Sequence, residues 1–398
     1  MRISRQIAAL VVAVVGAASA AAAQEADSRA AVIAAKQAEK AGHLSPQTPS
    51  GAERFLVETR RRLLEAPAGF YPYFASVHSG GGFTLGAGYR QFYGDRTRWD
   101  VRGLYSIKSY KLIEITTDSL GHAQDRVDLH GRFGWRDATQ VGYYGLGIDS
   151  PQDRSNYRMK QTYVGGDAVF RPIPWVVLGG GLTVEDFKLE EGLGNAPSIE
   201  EVHTPDTAPG LGASPTYLHT AVSGGIDTRP SAGYARRGGL YGVSYHNYAD
   251  TDSTYSFDRL DATIVQHIPI LRENWVISLR GETQAVLNDD DLVPYFMMPS
   301  IGSGSTLRAY SSWRFRDRNT LLLSGEWRWI PNRLGLDMAL FYDTGIVTER
   351  FRQLSFNGMK SDFGIGVRFH SPVATPLRIE LAKGSEGWHL VFAGNAAF

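Results

Sequence analysis

The sequence lacks cysteine, an excess of either charge, and any long apolar run beyond its first residues. Without cysteine there is no disulfide framework, thiolate metal site or cysteine nucleophile, and an oxidising compartment suits a chain that has no free thiol. The 41 basic and 41 acidic residues balance, which argues against a nucleic-acid partner, because no basic excess exists to displace phosphate counterions. A helix needs about 20 apolar residues to cross a bilayer, so the sequence predicts no transmembrane helix.

Residues 1–23 predict a cleaved signal peptide for export. Arg2 and Arg5 provide the positive start, residues 7–16 form a short apolar run, and small residues precede the expected cleavage before Gln24. Residues 24–67 differ from the rest of the chain, with an Ala- and Lys-rich stretch and a short helical pattern that carries three consecutive arginines. We expect a periplasmic leader that is partly helical or disordered. A helix that docks at or plugs the mouth of the following domain is the alternative.

The residues from about 68 onward alternate between apolar and polar positions, as expected when one face of a strand meets lipid and the other meets water. The last stretch is the clearest, because Trp388, Leu390, Phe392 and Phe398 all occupy even positions. An aromatic residue at 398, closing an alternating strand, also resembles the C-terminal signal that outer-membrane barrels present for insertion. Alternation alone would fit a soluble β-sandwich equally well, so the lengths of the links must decide.

Sixteen candidate strands can be placed, and their links alternate in length. The strands are 70–78, 82–92, 96–118, 123–137, 140–148, 157–171, 174–188, 214–228, 237–251, 255–270, 274–287, 319–331, 334–347, 361–371, 375–384 and 387–398. Links after even-numbered strands are short, whereas the three longest, 188–214, 287–319 and 347–361, follow odd-numbered strands. Bacterial outer-membrane barrels have tight periplasmic turns and long outer loops in this way. Together with the export signal, the pattern predicts a 16-stranded antiparallel transmembrane β-barrel over residues 68–398, located in a Gram-negative outer membrane and preceded by a short, partly helical leader.

A Gly- and Ser-rich segment in one of the long links leads to a single arginine, Arg308. The segment includes Gly302 and Gly304, and Leu307 and Tyr310 lie close to the arginine. This composition predicts a loop that folds closely onto another part of the molecule.

Alternation identifies the partners that this arginine would meet inside the barrel. The apolar positions of strand 319–331 assign Glu326 to the lumen, and those of strand 334–347 assign Asp343 to it. The two carboxylates therefore lie on adjacent lumen walls, where a guanidinium reaching down from the loop could bind both in a bidentate way. A lysine could not replace the arginine, because its ammonium group lacks the planar pair of N–H donors of a guanidinium. We predict a loop-to-lumen lock formed by Arg308, Glu326 and Asp343.

The same residues resemble the motifs of a known family. Leu307-Arg308-Ala309-Tyr310 resembles the Val-Arg-Gly-Phe/Tyr loop motif of the BamA/TamA superfamily of outer-membrane assembly factors, also called bacterial surface antigens. Phe341-Tyr342-Asp343-Thr344-Gly345 resembles its aromatic-aromatic-Asp-x-Gly strand, and Ser324-Gly325-Glu326 resembles its Ser-x-Glu strand. In that family the loop arginine contacts the acidic residues of these two strands, so the resemblance implies the same contacts here. It is strongest over residues 225–398 and weaker over 70–220.

Two features depart from the family pattern. Ala309 stands where the motif has glycine, which is compatible with the loop unless that position needs a positive φ. The family's insertases and translocation pores also carry periplasmic POTRA domains before the barrel, and residues 24–67 are too few to form even one. The resemblance therefore implies the barrel portion alone, and it supports the fold better than the activity.

Three functions remain open from the sequence. The resemblance implies a role in outer-membrane biogenesis, in which the barrel assists protein or lipid insertion or translocation. A passive pore or structural barrel without assembly activity is the alternative. An enzyme is the most distant, because the sequence has no Gly-x-Ser-x-Gly motif and the strand map places no His/Ser pair on a lipid face. We expect no catalytic residue, no cofactor and no metal site.

The expected partners are those that an outer-membrane protein meets. They are outer-membrane lipids, lipopolysaccharide and the barrel assembly machinery that would insert this chain, with a periplasmic partner as a further candidate. The acidic run Asp289-Asp290-Asp291 lies in a long outer link and could bind a divalent cation or bridge lipopolysaccharide. Solvated loop charge is the simpler interpretation of this run.

Overall fold

The structure is a computed structural model, and it describes residues 68–73, 75–270, 274–288, 292–330, 335–371, 374–394 and 398, together with Lys36. The chain divides into two units, residues 1–59 and residues 60–398. The described strands all lie in the second unit. The predicted signal peptide, the predicted leader apart from Lys36, and the acidic run at 289–291 fall outside the described residues.

Eighteen strands are described in this unit, and sixteen of them form one antiparallel sheet. In chain order they are β1 (Gly69–Tyr73), β2 (Thr84–Tyr93), β3 (Thr97–Ser106), β4 (Lys111–Gly121), β5 (Val127–Tyr143), β6 (Ser155–Phe170), β7 (Val176–Glu191), β8 (Thr216–Asp227), β9 (Gly238–Asp250), β10 (Phe257–Ile270), β11 (Trp275–Val286), β12 (Ser300–Ile301), β13 (Phe315–Arg316), β14 (Asn319–Trp329), β15 (Leu336–Thr348), β16 (Lys360–Phe369), β17 (Leu377–Gly384) and β18 (Gly387–Ala393). Strands β12 and β13 pair only with each other, inside the link between β11 and β14. The other sixteen pair in sequence order from β1 to β18, which confirms the predicted 16-stranded barrel fold.

Helical structure in the described residues from 68 onward is confined to short turns. These are α1 (His122–Asp125), α2 (Ile199–Val202) and a 3-10 helix at Phe351–Gln353. None of the helices in the described ranges has the length and apolar character needed to cross a membrane.

The division into strands differs from the prediction at two places, and the two errors cancel in the count. The predicted strand 96–118 is two strands, β3 and β4, which are separated by a tight turn in which Ser109 has a φ of 62°. The predicted strands 123–137 and 140–148 are one strand, β5, whose pairing with β6 is interrupted by a bulge between Ala138 and Val141. The turn has no Gly or Pro to mark it, and a bulge reverses the alternation as a new strand would.

The two faces of the sheet differ sharply in composition. Trp388, Leu390 and Phe392 of β18 are 61%, 59% and 65% exposed on the outward face. Glu326 of β14 and Asp343 of β15 are buried on the inward face, as alternation predicts. Apolar side chains thus face outward and charged ones inward, which is the pattern of a transmembrane barrel with a polar interior.

Phe398 does not extend the outward face of β18, which ends at Ala393. The ring of Phe398 lies 4.9 Å from the guanidinium carbon of Arg280 and 6.4 Å from the ring of His267, both of which are buried on the inward face. The outward position expected for Phe398 is therefore not found. Once a strand has ended, alternation no longer sets the direction of a side chain, and a cation–π contact can attract the ring inward.

The three links predicted to be longest lie at one end of the strands, as predicted. We call the end that bears the long links after β7, β11 and β15 the loop end, and the other the turn end. One link at the turn end, residues 228–237, is also long and folds against inward-facing side chains. Its Tyr234 donates a hydrogen bond to Asp337 at 2.7 Å and stacks on His370 at a centroid distance of 4.0 Å.

The long links fold over the loop end and bury an apolar cluster there. This loop-end cluster includes Tyr143, Tyr157, Phe187, Ile199, Tyr217, Tyr248, Phe257, Val293, Tyr295 and Phe296. The guanidinium of Arg316 is buried next to it and donates to the carbonyl oxygen of Tyr295 at 2.7 Å. The loop end is therefore a packed apolar layer, and one nitrogen of the Arg316 guanidinium is bound there by a backbone carbonyl.

Candidate functional site: an arginine locked into the lumen

The loop between β12 and β13 owes its inward path to glycine. Gly302 has a φ of 110°, and a Cβ at this position would lie 2.6 Å from the carbonyl oxygen of Ser311. Gly304 lies against the last strand, where a Cβ would be 2.6 Å from Cγ1 of Val391. A side chain at 302 would strain the backbone as well as clash, whereas at 304 only the contact with β18 forbids it.

Arg308 reaches three carboxylates from three different strands. Its Nε lies 2.9 Å from Oδ2 of Asp343, and its Nη1 lies 3.3 Å from Oε2 of Glu326 and 3.1 Å from Oε1 of Glu380. The guanidinium carbon also sits 3.8 Å from the ring centroid of Phe341. The structure thus brings together Arg308, Glu326 and Asp343, the three residues of the predicted lock, and adds a third carboxylate.

Two more arginines belong to what we call the charge cluster: Arg308, Arg368, Arg378, Glu326, Asp343 and Glu380. Arg328 lies beside it, with its Nε 3.7 Å from Oε1 of Glu326. Arg368 of β16 pairs with Glu326 through both terminal nitrogens and with Glu380 at 2.8 Å. Arg378 of β17 pairs with Glu380 at 2.7 Å and donates to the carbonyl oxygen of Gly304 at 3.1 Å. The cluster therefore joins the loop to all four strands from β14 to β17.

Sequence reasoning missed Glu380 and the structural part played by Arg368 and Arg378. The signal was present, because alternation in the predicted strands 361–371 and 375–384 puts all three residues on the inward face. The positions 378 and 380 differ by two, so their side chains share a face. Alternation thus marks these residues as inward-facing charge, although it does not show which of them the loop contacts.

Burial makes the charges of this cluster interdependent. The six side chains are each at most 4% exposed, and an unpaired ion in such a place costs several kcal/mol. Burial alone would lower the pKa of Arg308, but the carboxylates of Asp343, Glu380 and Glu326 outweigh it and raise the pKa above its ordinary value. Arg308 therefore remains a cation near neutral pH.

The backbone next to the arginine is anchored as well. The N–H of Ala309 donates to Oδ2 of Asp362 at 2.9 Å. Ala309 is not among the residues with positive φ, so alanine is tolerated where the motif of the resembling family has glycine. Its methyl group fits because the facing residue is Gly384, where a Cβ would come within 3.0 Å of the Cβ of Ala309.

The residues that flank Arg308 hold the loop by packing and by one hydroxyl group. Leu307 is fully buried in an apolar cluster with Leu322 and Phe341. Tyr310 donates to the carbonyl oxygen of Ser361 at 3.2 Å, and its hydroxyl lies 2.9 Å from that of Ser385. Each predicted member of the loop motif, from Gly302 to Tyr310, is therefore in contact with the wall or with the loop's own turn.

The arrangement is one for holding a loop, since its charged groups pair with one another. Within the described ranges, no group of three or more His, Asp or Glu side chains is placed to hold a metal ion.

The fold and the charge cluster define a class: transmembrane β-barrels whose long loop is folded into the lumen and fixed there by a buried arginine. The family model described as the Omp85 superfamily domain matches residues 123–387. The chain belongs to the Omp85 superfamily. A comparison with curated proteins found no match.

Solved structures of that barrel type are similar to this chain in fold. BamA from Haemophilus ducreyi lacking POTRA domains 1-3 matches with a TM-score of 0.59 and 14% identity, over 82% of this chain and 69% of that one. CdiB from Acinetobacter baumannii matches with a TM-score of 0.50 and 11% identity, and CdiB from Escherichia coli with 0.50 and 12%. This chain is covered to 82% in both, but spans only 56% and 60% of those two chains.

Proposed function

We propose that this chain acts in outer-membrane biogenesis, as a barrel that assists the insertion or translocation of protein or lipid in a Gram-negative outer membrane. The observation that carries the proposal is the charge cluster, in which Arg308 joins the loop to β14–β17. A conducting pore does not require a loop fixed by six buried charges. A barrel whose wall must open and close again benefits from strands next to the last one that are held rigidly in place.

The ends of the strand order support this proposal. β1 has five residues and β18 has seven, against seventeen in β5. Pairing between two such short strands would contain few backbone hydrogen bonds, and a short ladder opens at lower cost than a long one. A weak junction between the first and last strands would give a client chain or lipid a route into the membrane.

The passive-pore alternative has less support. The loop-end cluster buries aromatic side chains from several links over the end of the barrel, with Tyr143, Tyr217 and Tyr295 fully buried. An apolar layer of this kind opposes steady passage of water and ions. The role we propose involves no enzymatic chemistry, and its partners would be outer-membrane lipids, lipopolysaccharide, the machinery that inserts this chain, and a periplasmic protein.

Depletion of the protein tests the proposal. Outer-membrane proteins would be measured by mass spectrometry in depleted cells, with the wild-type gene and an Arg308→Ala variant expressed in parallel. Loss of other barrels, restored by the wild-type gene and not by the variant, is the expected result. Unchanged levels of all other barrels and of lipopolysaccharide, combined with stable ion conductance of the purified protein, would favour the passive barrel instead.

A further inference from the structure

A pair of histidines on the inward face of β8 and β9 forms an unusual contact. Nε2 of His219 lies 3.0 Å from Nδ1 of His246. The ring centroids are 5.3 Å apart and the ring planes are inclined by only 28°. That centroid separation is close to the N–N distance plus the two ring radii, so the nitrogens point at each other along the line that joins the rings. This is the geometry of an N–H···N hydrogen bond.

The outer nitrogens of the pair both face carboxylates. Nδ1 of His219 lies 3.0 Å from Oε1 of Glu185, and Nε2 of His246 lies 3.6 Å from Oδ2 of Asp261. Asp261 is in turn held by Arg259 at 2.9 and 3.1 Å. The result is a continuous line of groups across β7 to β10, from carboxylate through two imidazoles to carboxylate.

The charges around the pair favour the binding of one proton. The titratable and charged groups that face it are Glu185 from β7, Tyr217 from β8, Tyr248 from β9, and Arg259 and Asp261 from β10. Two carboxylates and one guanidinium leave the site one negative charge, which one imidazolium neutralises. A second proton would make the site cationic and would place N–H groups head to head across 3.0 Å.

We propose that His219 and His246 form a binding site for a single shared proton, and that uptake of a second proton breaks the link between β8 and β9. The shared proton leaves Nδ1–H of His246 donating to Nε2 of His219, while the outer N–H groups face Glu185 and Asp261. The second proton has no acceptor in this arrangement, so the imidazoles must separate.

Separation of the pair would be transmitted to the loop end. The ring of Tyr248 stacks on His219 with centroids 4.1 Å apart and planes inclined by 8°. Tyr248 also packs on Phe257 at 4.6 Å and on Tyr217 at 5.8 Å, and these three residues belong to the loop-end cluster. Acid is therefore expected to loosen the loop-end cluster by displacing the imidazole that supports Tyr248.

A transition metal is the competing occupant of two converging imidazoles. Zinc would need about 2.0–2.1 Å to each nitrogen, and the in-line arrangement across 3.0 Å leaves no room for it unless both rings rotate. The proton fits the observed geometry without movement, and zinc becomes an outcome of the test.

The first measurement uses the full chain, refolded in detergent micelles with ¹⁵N-labelled histidine. We expect nuclear magnetic resonance to show a scalar coupling between one nitrogen of His219 and one of His246, and uptake of a single proton that both rings report together. Two imidazoles that titrate independently near pH 6.5, about the value of a free histidine, would overturn the proposal. Stoichiometric Zn²⁺ binding that is lost in His246→Asn would replace it with a metal site.

The second measurement is urea unfolding as a function of pH. Below about pH 6.5 the unfolded chain binds a proton on each histidine, whereas the folded pair binds one. This site should therefore raise the unfolding equilibrium constant about tenfold for each unit by which the pH is lowered. His246→Asn removes one imidazole, and its amide oxygen can accept a hydrogen bond from a protonated His219. The folded and unfolded states then each bind one proton here, so the unfolding equilibrium constant of this variant should depend less on pH, by about a factor of ten per pH unit. His130→Asn is the matched control, because His130 pairs with Asp118 at 2.7 Å and has no second imidazole. An equal change in both variants would contradict the proposal.

Discussion

Arg308 is the single side chain on which the loop depends most. Arg308→Ala leaves Glu326, Asp343 and Glu380 with an uncompensated negative charge, and removal of one partner of a buried ion pair typically costs about 3–5 kcal/mol. Arg308→Lys should recover only part of this loss, because an ammonium lacks the planar fork. Urea unfolding of the refolded barrel in detergent measures both. Arg352→Ala, at an exposed arginine of the 3-10 helix, serves as the control; an equal loss there would mean that the charge cluster has no special role.

Ala309 and Gly384 form a second residue-level test, because each limits the size of the other. Gly384→Ala would place its Cβ 3.0 Å from Cβ of Ala309 and 3.0 Å from Cε2 of Tyr310, and crowding of this kind usually costs about 1–3 kcal/mol. Ala309→Gly in the same chain should restore part of the stability. A double-mutant cycle of the unfolding free energies checks this coupling. Strictly additive effects would show that the two positions do not share one space.

Asp317, which lies in a link outside the sheet strands, supplies a prediction about pH. Burial, and then the nearby Glu349, raise the pKa of Asp317 to about 6 from an ordinary value of 3.8. The folded state thus keeps its proton between pH 4 and 6 while the unfolded state loses it, so this residue lowers stability as pH rises through that window, and the loss stays constant above pH 6. Asp317→Asn should stabilise the protein by about 3 kcal/mol near pH 7.5 and have little effect near pH 3.5. Thermal unfolding at the two pH values decides; stabilisation at both would indicate another cause.

The sequence predicted three members of the charge cluster, Arg308, Glu326 and Asp343, but it did not show that the other three belong to it. Alternation assigned Glu326 and Asp343 to the lumen, and it would have assigned Glu380 there equally well. Which inward carboxylate a loop can reach depends on the path of the loop and on the stagger of the strands. Neither quantity is written in the local pattern around any one of these residues, and so the part of Glu380 emerged only from the folded chain.

Strands and links show the same division at the scale of elements. Alternation found the strands, because lipid and water select side chains on opposite faces. It failed between Ser106 and Lys111, where a turn of ordinary residues joins β3 to β4 through a hydrogen bond from Ser106 N–H to Tyr110 carbonyl oxygen at 2.9 Å. A turn without Gly or Pro leaves no mark in a two-residue period.

The link at residues 228–237 offers a test on a whole element. Tyr234→Phe removes the hydroxyl that donates to the buried Asp337, and an unsatisfied buried acceptor costs about 1–3 kcal/mol. The link should then detach from the inward face more often, and trypsin should cleave faster after Arg236 and Arg237. Tyr245→Phe, at an outward tyrosine of β9, is the control for loss of a hydroxyl. Cleavage at the wild-type rate in Tyr234→Phe would mean that this bond does not hold the link.

At the scale of the whole molecule, the absence of cysteine makes a defined cross-link available. A Cβ at Gly304 would lie 3.8 Å from Cβ of Val391, which is about the mean separation in natural disulfides. Gly304→Cys with Val391→Cys should therefore form a disulfide between the loop and β18, visible as a mobility shift on non-reducing gels. If the proposed function needs the last strand to move away from the loop, oxidised cells should lose it and reduced cells regain it. Full function of the oxidised form would show that this junction can stay closed.

The charge cluster also imposes an order in time. Arg308 precedes its partners by 18 residues to Glu326, 35 to Asp343 and 72 to Glu380. At about 5–20 residues per second, a ribosome completes the last of these roughly 4–14 seconds after the arginine. Throughout that interval at least one of the three carboxylates that pair with Arg308 has not yet been synthesised. The loop therefore cannot make its full set of ion pairs before β17 is present, because Glu380 lies in that strand. Docking of the loop consequently marks the stage at which the penultimate strand has joined the sheet.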